Sequence, residues 1–165
     1  MKTWRTVGLL VLLLVIAGGV WLRWKMEEPR RAAAGTLQHL DAALRGGSPT
    51  ALADVLILPT ALQGRTEPEQ TEFLRKALAD EISPEGLAVL QRDGAFGALT
   101  NLFPNEGVAW ANQAGVNLGD CMAFKLERNG VRAEVVLARD ATASDPSKSF
   151  RVVRCNNVKQ MATLQ

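Results

Sequence analysis

Residues 121–140 read CMAFKLERNGVRAEVVLARD. Asn129-Gly130 suits a two-residue type I′ turn, in which both central residues take positive φ. With the turn fixed there, Arg128 faces Val131, Glu127 faces Arg132 and Leu126 faces Ala133. Further along, Lys125 faces Glu134, Phe124 faces Val135 and Met122 faces Leu137. Side chains alternate between the two faces of a strand, so one face is apolar (Met122, Phe124, Leu126, Ala133, Val135, Leu137). The other face carries two opposite-charge pairs, Glu127–Arg132 and Lys125–Glu134, each contributing a few tenths to about 1 kcal/mol. A slip of one residue would exchange the faces, so the register is strongly specified. The pattern predicts an antiparallel sheet with helices on its apolar face.

A third strand is expected over Ser149–Lys159, after the polar loop Ala141–Lys148. A symmetric loop near Ser144–Asp145 sets Ala138 opposite Arg151 and Cys155 opposite Glu134, with Cys121 opposite Ala138. The thiols then stand two strand spacings and about 13 Å of rise apart, beyond the roughly 7 Å Cα separation that a disulfide tolerates. No disulfide between Cys121 and Cys155 is therefore expected, and both read as small, half-buried hydrophobes. The same register places Arg154 beside Val135, on the apolar face. A guanidinium there is a candidate for binding a carboxylate ligand or pairing with Asp41, unless the long loop shifts the register.

Upstream of the hairpin the periodicity is helical. Leu37, Leu40 and Leu44 share one face of a segment from about Ala33 to Arg45. Ser48-Pro49 opens a helix burying Leu52, Val55 and Leu56, which Pro59 stops. Thr66-Glu67-Pro68-Glu69 is a capping-box signature, followed by Phe73, Leu74, Ala77, Leu78 and Ile82 at helical spacing. Ser83-Pro84 repeats the Ser-Pro start through Leu90. The stretch AFGALTNLF, 95–103, reads as a short helix, and Pro104–Ala114 as another that ends at Gly115. Helices first and strands last give an α+β fold with a meander of about three strands. In element order alone this resembles the cone of nuclear transport factor 2-like and ketosteroid isomerase-like domains. The resemblance implies an internal cavity and carries no site residue across.

The run VGLLVLLLVIAGGVWLRW, 7–24, lies near the start of the chain. Val7–Leu22 holds no charge and no proline, and as helix spans about 24 Å; from Trp4 to Trp24 the span is about 31 Å, against a hydrocarbon core of about 30 Å. Trp4, Trp21 and Trp24 flank the run as an aromatic belt would. Lys2 and Arg5 with Ala17-Gly18-Gly19 would equally serve a cleaved signal peptide. A signal peptide gains nothing from Trp21 and Trp24, which favours a retained transmembrane helix crossing the bilayer through residues 4–24. The expected organisation is an anchor (or signal peptide) over 1–25, a juxtamembrane linker over 26–34 and a soluble α+β domain over 35–165. Basic residues around the run lean towards a cytoplasmic domain. The overall form, a short basic tail, one apolar run and then a domain, matches an uncleaved export signal and favours a periplasmic or extracellular one.

Six of the 19 Lys and Arg fall in residues 1–31, leaving the rest of the chain with a net charge of −2. That balance speaks against a nucleic-acid partner. Two cysteines and one histidine cannot complete a four-ligand zinc site, and neither GGSP nor GAFG is a phosphate loop, so no metal or cofactor is expected. His39 projects away from Leu37, Leu40 and Leu44 and should face solvent. Asp41 lies at the edge of that leucine face, where a carboxylate serves either as a general base in an apolar pocket or as a rim ion pair. Trp110 reads as core. Three functions follow as expectations. The first is a membrane-anchored, non-catalytic domain binding a protein partner or small ligand at the cell envelope. The second is a small cone-type enzyme using Asp41 alone, and the third a structural subunit of an envelope complex.

Overall fold

A computed structural model describes residues 2–47, 49–57, 66–145 and 149–164. Its helices are α1 (Lys2–Gly46), α2 (Pro49–Val55), α3 (Glu67–Glu81), α4 (Pro84–Asp93), α5 (Leu99–Leu102) and α6 (Gly107–Ala114). The strands are β1 (Ala95–Ala98), β2 (Cys121–Arg128), β3 (Val131–Arg139) and β4 (Phe150–Asn156), forming one antiparallel sheet in the order β1-β2-β3-β4. The chain is α+β and divides into two compact units, residues 1–31 and 32–165.

In the first unit, Val15, Ile16, Val20, Trp21 and Trp24 are all exposed. Lys25 sits 4.8 Å from the centre of the Trp21 ring, and Glu27 pairs with Arg23 and Arg31 one turn to either side. The segment 26–34, expected as a linker, is helical throughout, with Pro29 inside the helix. Among the described residues no helix is long and apolar enough to cross a membrane. The side chains of Trp4 and of Val7–Leu14, the first half of the apolar run, lie outside the described set.

The second unit is built around the hairpin. Every expected β2–β3 pair is present, from Cys121 opposite Ala138 to Arg128 opposite Val131. Asn129 and Gly130 take φ of 51° and 75°, as a type I′ turn requires. Phe124, Ala133, Val135 and Leu137 are buried against Leu37 and Leu40 of α1, Leu52 of α2, and Leu87 and Leu90 of α4. Full burial of one such leucine contributes roughly 1.5–3 kcal/mol. Thr36 fastens α1 to the sheet by donating its hydroxyl to the Phe150 carbonyl, 3.1 Å away.

Four expectations are corrected. Ala95–Ala98 is a strand instead of a helix: pairing with β2 satisfies its backbone, and Phe96 packs on Phe124 with ring centres 4.8 Å apart. Helices cover both faces of the sheet instead of one. The small side chains Cys121, Ala123 and Ala138, with Val136, let α5 and α6 approach, burying Leu99, Phe103 and Ala111 in a second core. β4 keeps Ala138 opposite Arg151, but a bulge follows, with Leu137 opposite Val152 and Val136 opposite Arg154. Cys155 therefore faces Val135 instead of Glu134, and Arg154 leaves the apolar face. Finally, α3 leaves Phe73 51 % exposed and Ala77 exposed; among its described side chains the core is reached at its end, by half-buried Leu78 and the following residue Ile82, and the Leu74 side chain lies outside the described set.

The capping signals act as read. The Thr66 amide donates to Glu69 at 3.1 Å, and the Gly86 amide donates to Ser83 at 3.1 Å. β4 stops at Asn156. The chain then turns through Asn157 (φ 54°) into a 3₁₀ turn, Lys159–Ala162, that brings Val158 and Met161 into the core against α4. Ser48, Pro59 and part of the loop before β4 lie outside the described residues.

Candidate functional site

Glu134 sits in the middle of β3, in the run Ala133-Glu134-Val135-Val136, and its side chain has no exposed surface. A carboxylate is retained at such depth only where cations and hydrogen bonds meet it. Arg154 of β4 donates its Nε–H to Oε1 at 3.0 Å, and Arg132 brings its Nε within 3.2 Å of Oε2. The arginines are 41 % and 39 % exposed, so they close the carboxylate off from water while keeping their own heads partly hydrated.

Each guanidinium also lies over an aromatic ring on the α5–α6 side. Arg154 is 4.9 Å from the centre of Trp110, and Arg132 is 5.4 Å from that of Phe103. Trp110 and Phe103 pack on one another at 4.8 Å. Arg132 forms a two-pronged pair with Glu106 at 3.0 and 3.2 Å, which holds its pKa above the usual arginine value. The cross-strand pairs expected from the register, Lys125–Glu134 and Glu127–Arg132, do not form as ion pairs. Lys125 lies over Phe103 at 5.1 Å instead. Charge on this face is thus organised as Glu106–Arg132–Glu134–Arg154, with aromatic rings as its floor. Beside it a groove of about 160 Å³ is lined by Ile57, Trp110, Gln113, Ala114, Val153 and Arg154.

The other candidates lie apart. Asp41 pairs with Arg45, one helical turn on, at 3.0 Å, and does not share a cavity with Arg154. His39 is half-buried instead of solvent-facing, because it borders an apolar groove of about 300 Å³ with Thr36, Ala43, Asp54 and Phe150. Cys121 and Cys155 are free thiols with β3 between them. Burial raises the pKa of both, which disfavours the thiolate a nucleophile needs.

No family model matches the chain, and no curated protein or solved structure matches it.

Glu134 is sealed under two arginines and cannot reach a substrate proton. Asp41 is held by an arginine at the rim. What the second face offers is a guanidinium positioned from two sides beside a small, mostly apolar groove. Nothing in the sequence joins Glu134 and Trp110 in one site; the signal it holds is a lone glutamate in the apolar run Ala133–Val136, all of which is buried.

Proposed function

We propose that the protein is a single-pass membrane-anchored α+β domain that binds a protein partner or small ligand at the cell envelope and catalyses no reaction. One observation carries it: the apolar, tryptophan-flanked run near the start of α1. The side chains described there (Val15, Ile16, Val20, Trp21, Trp24) are each more than half exposed. A contiguous apolar surface of this kind calls for a cover, and a bilayer supplies one without further protein. Arg23 and Lys25 at its end suit the headgroup level. The absence of catalysis is supported by Asp41 and Glu134 both being held by arginines.

The test uses full-length protein with a C-terminal tag in a bacterial host. Cells are fractionated, the intact mass is read, and protease is applied to spheroplasts. Full-length mass in the membrane fraction with a digested tag is expected. A mass shortened near Gly19 in the soluble fraction would replace the anchor by a signal peptide. A protected tag would place the domain on the cytoplasmic side.

A further inference from the structure

We infer that the groove between α6 and β4 binds the free carboxylate of a peptide chain end with an apolar last side chain, and that Arg154 is the residue that grips it. This rests on the binding-domain proposal above and gives that domain its ligand class.

Arginine carries five N–H donors in a planar fork. In Arg154 the Nε–H is committed to Glu134, while among the described residues its two terminal nitrogens have no acceptor. The plane is fixed twice, by a fully buried carboxylate and by the Trp110 ring. A guanidinium fixed in this way has already lost the rotamer freedom that binding would otherwise cost. Its free end is the geometry that takes a carboxylate through two parallel hydrogen bonds.

The rest of the groove selects what carries that carboxylate. Ile57, Ala114 and Val153 are apolar, and about 160 Å³ holds a branched aliphatic side chain. A chain end places carboxylate and side chain on the same carbon, which matches a guanidinium and an apolar wall within one small groove. Gln113, on the same rim, offers an amide to the last peptide unit. Glu134 behind Arg154 cancels part of its charge, which suits a monoanion better than a phosphate dianion.

The experiment uses the full chain in detergent micelles with ¹⁵N-labelled tryptophan, the Trp110 indole signal being assigned from Trp110→Phe. Acetyl-Ala-Leu with a free carboxylate is titrated against the same peptide amidated. The acid is expected to move the Trp110 signal saturably and to bind at least tenfold more tightly than the amide. Arg154→Lys, which keeps the charge and loses the fork, should weaken the acid about tenfold, and inorganic phosphate should not displace it. If Arg154→Lys does not fold, Ile57→Gln in the groove wall takes its place and must weaken the acid several-fold. Equal binding of acid and amide, no saturable shift, or an unaffected Arg154→Lys would overturn the inference. Any of these with full-length protein in the membrane fraction would remove the ligand class alone. A soluble, shortened protein would instead remove the anchor, whatever the titration gives.

Discussion

Stripping the arginines from Glu134 should damage the fold more than removing Glu134 itself. Glu134 is fully buried, whereas Arg132 and Arg154 are about two-fifths exposed. In Glu134→Gln both guanidinium groups can turn further into water, Arg132 keeps Glu106, and the amide oxygen still accepts one N–H. The expected loss is about 1–2 kcal/mol. In Arg132→Gln/Arg154→Gln the carboxylate remains on β3 beside Ala123 and Val136 with neither guanidinium over it, and Lys125, the cation opposite it on β2, is turned onto the Phe103 ring. Stranding a buried charge costs about 3–5 kcal/mol. For a domain of this size that separates melting points lowered by about 3–10 °C from ones lowered by about 10–25 °C. The triple variant with Gln at all three positions has no buried charge, so it should melt above the double variant. Thermal melts of the full-length proteins followed by circular dichroism decide it. A single Glu134→Gln change that costs more than the arginine pair, or a triple variant no better than the double, would refute the view that Glu134 is the stranded partner.

Two further outcomes are expected. In Gly86→Ala the new Cβ would collide with the Val158 carbonyl oxygen, a backbone atom, so α4 or the C-terminal turn must shift. The urea midpoint should show a loss of about 2–3 kcal/mol, against no more than a few tenths for Gly97→Ala, whose nearest atom is Leu102 Cγ at 3.9 Å. Asp93, hydrogen-bonded by Arg92 and by Arg128 of β2, has its pKa lowered from 3.8 to about 2. A depressed carboxylate pKa stabilises the fold above the unfolded value and loses that effect as pH falls through the folded one. The melting-point gap between the parent and Asp93→Asn should therefore be constant above about pH 4 and close towards pH 2.

The hairpin was legible because its information is local: a two-residue turn, a period of two, and faces that a slip would exchange. β1 was not. AFGA is too short to alternate convincingly, and its strand state comes from the β2 edge it pairs with. The second core was hidden for a different reason. Cys121, Ala123 and Ala138 are small enough to lie under a helix or open to water, and only the placement of α5 and α6 decides between them. Phe73 shows the converse, since helical spacing marks a face that can be buried, yet its side chain stays 51 % exposed. The chemistry of the site is half legible: the strand register brings Arg154 within one residue of Glu134 on the neighbouring strand, but the bulge that sets them on one face and the Trp110 ring come from the tertiary fold.

One residue moves Arg154 off the face that a regular strand would give it. Phe150 and Val152 lie in the main core, and so does the partly buried Cys155, although its position has the opposite parity. A regular strand cannot place all three on one face; the extra residue between Leu137 and Val136, Val153, resolves the conflict. Removing one residue from the middle of a strand ordinarily flips every side chain beyond it. Here the partners on either side of Val153 are already fixed as Leu137 with Val152 and Val136 with Arg154. Deleting Val153 should therefore yield a regular strand with Arg154 still over Glu134 and Cys155 still in the core. The cost should be that of losing one half-buried valine, about 1–2 kcal/mol, read from the urea midpoint. The peptide groove, whose wall includes Val153, should weaken by more than the fold does. A deletion variant that fails to fold would mean that β4 needs the extra residue for its register, and that the pairs on either side of Val153 are not fixed without it.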